Sequence, residues 1–334
     1  MNDLSAPFHS FLAPWIRQYL EFRKRLGYSV VRKSYDRFRE LDYYVSWRML
    51  SRFEEIDESF ANDWMFSVPS QANSTKNCRL NLLRGFCRYL VRQNVMKDNP
   101  TRAIPYLPVK PPHPHLYTLH ELTTILQEAE RWKNRPTYSF VGWVMGTLIH
   151  LLYACGLRIG EALRLKIRDV DFEENTLSLW NTKFHKERLV PFSQRTRARL
   201  QKYLVVRTRK FPRSAGPEGY VFCHRRGPYD PSCIERLFRK LLGRCGLKRP
   251  RGPRLHDFRH SFAVHRLYKW YQDGHDILNK LPILSTYMGH VSVENTQVYL
   301  TVTRWLLREA DRRFQAGFEE VSRRALRRLT KKHP

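Results

Sequence analysis

Residues Leu284–Thr301, L-S-T-Y-M-G-H-V-S-V-E-N-T-Q-V-Y-L-T, place the pair Gly289-His290 nine residues before Tyr299. A single tyrosine carries little information in a chain that has 17 of them. A tyrosine oxygen that attacks at neutral pH needs cationic or basic neighbours, because the unperturbed pKa of a phenol is about 10. Tyr299 is therefore a candidate nucleophile only if other segments supply such neighbours.

Three upstream segments supply them. They are Ala154–Glu161 (A-C-G-L-R-I-G-E), Lys183–Pro191 (K-F-H-K-E-R-L-V-P) and His256–His260 (H-D-F-R-H). A guanidinium is permanently charged and its fork matches two phosphate oxygens, which makes Arg158 and Arg259 candidate phosphate ligands. His256 precedes Arg259 by three positions, so both side chains should lie on one helical face. These residue types favour phosphoryl transfer, in which cations stabilise the charge that builds up on the phosphate oxygens.

In this order, the four segments resemble the tyrosine recombinases, the family of phage integrases and chromosome-dimer resolvases. The resemblance covers residues 117–310 well and the first hundred or so residues loosely. It implies a site-specific DNA recombinase of the integrase or transposase type, a strand transferase that needs no metal and no cofactor. Such an enzyme cuts and rejoins DNA through a 3'-phosphotyrosyl intermediate and a Holliday junction.

The resemblance also assigns roles to individual residues. The implied catalytic set is Arg158, Lys183, His256, Arg259, His290 and Tyr299. In it, Tyr299 is the nucleophile, His256 accepts its proton and His290 hydrogen-bonds the scissile phosphate. Lys183 protonates the departing 5' oxygen.

Other residues support or qualify these roles. Glu161 is expected to steady Arg158, and Lys186 is the alternative to Lys183 as the proton donor. The chain departs from the family pattern at Phe184, which replaces a glycine after the lysine. It also separates the two active-site histidines by 34 positions, more than in many relatives.

The charge of the chain predicts a polyanionic partner. Sixty Lys and Arg residues against 31 Asp and Glu give a net charge of +29, and an excess this large repels itself unless a partner neutralises it. A solvated basic surface or a membrane-facing patch is the alternative. The residues predicted to bind DNA are Arg79, Arg84, Lys186, Arg188 and Arg254. The resemblance implies more specific partners: double-stranded DNA with inverted-repeat core sites, further copies of the chain in a tetramer, and optionally an accessory recombinase or a DNA-bending protein.

The remaining composition predicts a cytoplasmic protein, and the resemblance implies a bacterial protein that is associated with the nucleoid. The six cysteines show no C-x-x-C pair or zinc-ligand spacing, which is typical of reduced thiols. The first residues lack the pattern of a signal peptide, and the apolar stretch near Ser139–Ala154 is too short to span a bilayer. We expect no membrane partner and no metal site.

The apolar pattern predicts a mainly α protein with a small antiparallel β-sheet. Apolar residues recur at helical spacing four times in the first hundred or so residues, which predicts a helical domain over residues 1–104. The resemblance implies that this domain is a core-DNA-binding (SAM-like) domain. A proline-rich linker over residues 105–116 is expected to be extended. An α+β catalytic domain then covers residues 117–334, and opens with a capping box at Thr118–Glu121.

Two features of the predicted catalytic domain remain open. Alternating runs between Val170 and Phe192 predict a hairpin or a three-stranded sheet. The C-terminal helical tail has an apolar face that packs either on its own domain or on a neighbouring protomer.

Two rival functions fit part of the pattern. A type IB topoisomerase-like enzyme would use the same residue types to nick and reseal one strand. A non-catalytic DNA-binding regulator would lack a catalytic residue, and none of the six is missing from the sequence.

Overall fold

The computed structural model describes residues 8–28, 30, 32–109, 114–180, 187–247 and 252–289. The chain divides into two compact units, Met1–Pro112 and His113–Pro334. The boundary between the two units falls within the predicted linker. The described helices include none that is long and apolar enough to cross a membrane.

The first unit contains the four predicted helices. They are α1 (Ala13–Arg25), α2 (Arg32–Trp47), α3 (Glu58–Phe66) and α4 (Asn73–Arg92). Gly27, at a φ of 77°, follows the end of α1, where glycine is common because it adopts the left-handed conformation without strain. Trp64 of α3 and Phe86 of α4 are fully buried in the core that these helices share.

The first part of the proline-rich segment packs against α4. The side-chain amide of Asn77 donates to the Leu107 carbonyl oxygen at 2.8 Å and accepts from the Leu107 N–H at 2.9 Å. The Tyr106 hydroxyl donates to Asn81 at 2.6 Å. Residues 106 and 107 therefore belong to the first unit, because they are hydrogen-bonded to side chains of α4. These side chains supply the hydrogen bonds that a neighbouring strand would otherwise supply to the extended backbone.

The described part of the second unit contains seven α-helices and two small antiparallel sheets. The helices are α5 (Leu119–Lys133), α6 (Ser139–Ala154), α7 (Ile159–Arg164), α8 (Gln194–Lys210), α9 (Pro231–Arg244), α10 (Leu255–Gln272) and α11 (Ile277–Met288). The strands are β1 (Val170–Asp171), β2 (Thr176–Leu179), β3 (Arg188–Pro191), β4 (Cys223–His224) and β5 (Gly227–Pro228). The most apolar helix, α6, packs against α5, α8 and α10, and forms the centre of the unit.

The structure confirms the predicted fold class and two local features of this unit. Thr118 and Glu121 form the predicted capping box at the start of α5. Strands β1, β2 and β3 form a three-stranded sheet, in which Leu177 faces Val190 and Leu179 faces Arg188. The mainly α fold class is confirmed. The hairpin of β4 and β5 was not predicted, because two-residue strands carry no alternating pattern.

Candidate active site

Three arginines converge on the C-terminal end of α11. Helix α11 ends at Gly289, which adopts the left-handed conformation with a φ of 63°. Three consecutive carbonyl oxygens at this end each accept a guanidinium hydrogen bond: Tyr287 from Arg188 Nε at 3.0 Å, Met288 from Arg259 Nη2 at 2.5 Å, and Gly289 from Arg158 Nη2 at 2.8 Å. Because the C-terminal end of a helix carries partial negative charge, these cations hold it in place. The next residue in the chain is His290.

Arg158 is the N-cap residue of α7 and follows a glycine turn. Gly156 has a φ of 60°, and a Cβ atom there would lie 2.5 Å from the ring of Phe262. Glycine is therefore required for the chain to turn from α6 into Arg158. The Arg158 side chain is 22% exposed and donates from Nη1 to Glu161 Oε1 at 2.6 Å.

Arg259 reaches the site from α10 and is almost completely buried. It is 1% exposed, and its Nη1 donates to the Gly156 carbonyl oxygen at 2.6 Å. Together with the Met288 contact, this bond ties the glycine turn to the end of α11. Arg158 and Arg259 thus lie beside the same turn, as the proposed phosphate clamp requires.

Glu161 lies between two of the arginines and is buried. Arg188 Nη1 and Nη2 donate to its two oxygens at 3.1 and 2.9 Å, and the Arg158 N–H donates at 2.9 Å. Burial alone would raise the pKa of Glu161, but the hydrogen bonds and charges of Arg188 and Arg158 outweigh it and lower the pKa to about 2. Glu161 is therefore ionised at neutral pH, as expected of a residue that steadies Arg158.

His256 lies near the start of α10 and is solvent-exposed. Its ring packs edge-to-face on that of His260, at 4.6 Å between centroids. Partial desolvation, followed by the charges of His260 and Arg259, lowers the pKa of His256 to about 4. The ring is then neutral at pH 7 and able to accept a proton.

Four predicted residues lie outside the described residues: Lys183, Lys186, His290 and Tyr299. The predicted C-terminal tail helix lies outside them as well. Strand β2 ends at Leu179 and β3 begins at Arg188, so the sheet brackets the segment that contains both lysines.

Two arginines that were predicted to bind DNA make internal contacts in the first unit. Arg79 is 7% exposed and donates to the Trp64 carbonyl oxygen at 3.1 Å and to Ser67 at 2.8 Å. Arg84 donates to the carbonyl oxygens of Thr101 and Ile104 at 2.8 and 2.5 Å. These contacts favour a structural role for both side chains, because each guanidinium donates to backbone carbonyl oxygens of its own unit.

The other two described candidates lie in the second unit. Arg254 pairs with Asp257 at 2.8 Å and its side chain is 42% exposed, which leaves it accessible to DNA. Arg188 is only 10% exposed, and its Nε, Nη1 and Nη2 all donate within the protein. Its contacts with Glu161 and Tyr287 could not be anticipated from spacing, because 27 and 99 positions separate the partners.

A cleft of about 780 Å³ between α1, α2 and α4 was also not predicted as a site. Its lining includes four arginines, Arg23, Arg37, Arg88 and Arg92, and the aromatic residues Tyr19, Phe22, Tyr28 and Tyr89. Within the described residues, none of these four arginines has a carboxylate at ion-pair distance, whereas Arg39 pairs with Asp36 and Arg48 with Asp63. The sequence of α4 already contained a pattern that indicates this basic surface. Arg88 and Arg92 are four positions apart, opposite the apolar stripe of the helix.

The described residues contain no group of three or more His, Cys, Asp or Glu side chains arranged to hold a metal ion. Three guanidiniums and one carboxylate lie at the end of α11, which gives this end a net positive charge. Such an arrangement can bind a phosphate and stabilise charge on its oxygens.

Comparison with known proteins agrees with this geometry. The model of the phage integrase family matches residues 117–304. The y4rB protein of Sinorhizobium fredii, named as a candidate integrase/recombinase, is 35% identical over 318 residues, which cover 91% of this chain and 97% of that protein. Tyrosine recombinase XerC of Chlamydia caviae is 29% identical over 243 residues, 72% of this chain and 71% of its own.

Solved structures show the same fold. XerH recombinase in a post-cleavage complex with its difH substrate superimposes with a TM-score of 0.66 at 18% identity, over 93% of this chain and 97% of that chain. A lambda integrase dimer bound to a COC' core site gives a TM-score of 0.61 at 18% identity, over 86% and 76% of the two chains. The converging arginines, the family match and the relatives lead to one assignment: this chain belongs to the phage integrase family, the tyrosine recombinases.

Proposed function

We propose that this chain is a site-specific DNA recombinase that cuts and rejoins DNA through a covalent bond to Tyr299. The observation that carries the proposal is the convergence of Arg158, Arg188 and Arg259 on the end of α11, directly before His290. Family membership supports action on DNA, and the net charge of +29 supports a polyanionic substrate.

The proposed cleavage step forms one bond and breaks another. The Tyr299 oxygen bonds to phosphorus, its proton passes to neutral His256, and the 5' oxygen leaves with a proton from Lys183. Arg158, Arg259 and His290 stabilise the charge on the non-bridging oxygens. Arg158 donates from Nη1 and Nη2 within the protein and remains partly exposed, so its fork is oriented but still accessible to a phosphate.

Rejoining reverses these steps with the 5' oxygen of another strand. The phosphotyrosyl bond conserves the energy of the cut phosphodiester, so the scheme needs no nucleotide cofactor. We further propose inverted-repeat core sites, a tetramer on DNA and strand exchange through a Holliday junction. Accessory recombinases or DNA-bending proteins would act on that assembly, at the bacterial nucleoid.

We propose the α1–α2–α4 cleft as the surface by which the first unit binds DNA. Its four arginines lack carboxylate partners within the described residues, so phosphates could neutralise them without breaking an ion pair. Two of the aromatic rings already stack with a cation: the Arg23 guanidinium lies 4.9 Å from the Tyr28 ring centroid and 5.9 Å from that of Tyr19. This surface replaces Arg79 and Arg84 as the proposed contact of the first unit.

The test of the proposed function uses a nicked DNA substrate that traps the covalent product. Tyr299→Phe removes the nucleophilic oxygen and keeps the ring, so we expect DNA binding to persist and the covalent band on a denaturing gel to disappear. Tyr43→Phe, at an exposed tyrosine of the first unit, is the matched control and should form the band normally. A covalent band from Tyr299→Phe would refute the proposal. Site-independent relaxation of supercoiled plasmid would instead indicate topoisomerase-like activity.

A further inference from the structure

We propose that Arg188 is a positioning residue of the recombination reaction, one that joins Glu161 to the end of α11 and thereby fixes Arg158 and the Gly289-His290 turn. This inference rests on the proposed function. It also replaces the prediction that Arg188 contacts DNA.

The contacts of Arg188 lie within the protein on three separate elements. Its backbone is fixed at the first position of β3, paired with Leu179 of β2. Its two Nη atoms bind both oxygens of Glu161 in α7, and its Nε binds the Tyr287 carbonyl oxygen in α11. Such a two-pronged contact fixes orientation as well as distance, because the guanidinium is planar and rigid.

Glu161 transmits this constraint to Arg158. The same Oε1 atom accepts from Arg158 Nη1 at 2.6 Å and from Arg188 Nη1 at 3.1 Å. The Glu161 side chain is only 2% exposed, so water cannot readily replace a lost partner. Without Arg188, Glu161 would be held by Arg158 alone, and the two could shift together away from the position that binds phosphate.

Gly289 shows how closely Arg188 packs against the end of α11. A Cβ atom at residue 289 would lie 2.7 Å from Arg188 Nη1 and 3.1 Å from its Cζ. Glycine at this position therefore accommodates both the left-handed backbone and the guanidinium. The same contact brings the strand that follows the Lys183 segment next to the residue that precedes His290.

A DNA ligand and a positioning residue predict different behaviour. Loss of a phosphate contact weakens DNA binding and reduces its salt dependence by about one unit of slope. Loss of a positioning contact leaves binding intact and slows the chemical step, because a misplacement of about 1 Å can cost on the order of 10²-fold in rate. The full-length protein and its DNA substrate suffice to separate the two.

The decisive experiment compares Arg188→Lys, Arg188→Met and Glu161→Gln in single-turnover cleavage of the nicked substrate. We expect both Arg188 variants to bind DNA with the wild-type salt slope and to cleave about 10- to 100-fold more slowly. Arg188→Lys keeps the positive charge, so it can test the proposal even if Arg188→Met does not fold. Thermal unfolding shows whether each variant is folded. The double variant Arg188→Met, Glu161→Gln should cleave no more slowly than the slower single variant, because both act through one contact.

The pH profile provides a readout that a purely structural role would not change. The charged groups that face Glu161 are Arg158 and Arg188, which keep it ionised down to very low pH. When Arg188 is replaced by Met, burial should raise the pKa of Glu161, and protonation then weakens its hold on Arg158. The ratio of the variant cleavage rate to the wild-type rate should therefore fall as the pH is lowered from 7 to 5. Protonation of His256 affects both rates equally and so does not change this ratio.

Three outcomes would overturn the proposal for Arg188: cleavage at the wild-type rate in Arg188→Lys and Arg188→Met, a reduced salt slope of DNA binding, or additive effects with Glu161→Gln. Each leaves the proposed recombinase function intact, provided that the wild-type protein forms its covalent complex. Absence of that complex in the wild type would instead overturn the proposed function itself.

Discussion

Replacement of Arg259 by lysine should reduce both the stability of the protein and its rate of DNA cleavage. The contacts of the Arg259 guanidinium determine the size of each effect. The side chain is 1% exposed and bridges the carbonyl oxygens of Gly156 and Met288, at 2.6 and 2.5 Å. Arg259 reaches these two oxygens from two separate nitrogens, whereas the three N–H donors of a lysine ammonium share one nitrogen. We therefore expect lysine to keep one bond and to leave the other buried oxygen without this partner. A hydrogen bond to a charged group contributes about 1.5–3 kcal/mol, so we expect the free energy of unfolding to fall by about that amount.

The catalytic loss should be larger than the stability loss. Removal of one well-placed donor to a transition-state oxygen costs about 10²- to 10³-fold in rate, and the lysine also loses the fork that matches two phosphate oxygens. Urea denaturation measures the first effect and single-turnover cleavage of a nicked substrate measures the second. Arg266→Lys is the matched control, because Arg266 lies on the same helix and is exposed. Cleavage by Arg259→Lys at the wild-type rate would refute the clamp that we assign to Arg259.

Two further predictions test other parts of the account. If the cleft of the first unit binds phosphates, Arg88→Gln and Arg92→Gln should each lower the salt slope of DNA binding by about one. The controls Arg39→Gln and Arg48→Gln should change this slope little, because both arginines are already in ion pairs. Equal effects from the two pairs of variants would contradict the assignment of the cleft. If neutral His256 accepts the tyrosine proton, cleavage should be retained from pH 8 to pH 6. It should be lost only as the pH falls toward the lowered pKa of about 4, because protonation of His256 then removes the acceptor. A loss centred near the unperturbed histidine pKa of about 6.5 would show that the environment does not lower the pKa of His256.

The elements of both units could be predicted because local signals define them. Apolar residues at helical spacing marked the four helices of the first unit, and Gly27 marked the end of the first of them. The capping box at Thr118 marked the start of α5, because the reciprocal hydrogen bonds require only residues three positions apart. The proline-rich segment was predicted to be extended, but its packing on α4 depends on Asn77 and Asn81, which no local rule selects.

The roles of individual arginines were harder to predict. Arg79 shares the helical face of Leu83 and Phe86, so its position along α4 already indicated an inward side chain. The charge of Arg79 suggested a contact with DNA, but the helical periodicity predicted its buried position correctly. The role of Arg188 depends on partners far away in the chain, and only the folded arrangement of β3, α7 and α11 brings them together.

The proposed reaction depends on one covalent bond between the protein and DNA, and peptide mapping of the protein–DNA adduct would locate that bond. The wild-type protein is incubated with the nicked substrate in the presence of EDTA, digested, and searched by mass spectrometry for peptides that carry a nucleotide. We predict one such peptide, with the 3' phosphate bonded to the oxygen of Tyr299. An adduct on any other residue would contradict the role of Tyr299, and an adduct that forms only after magnesium is added would contradict the metal-independent reaction.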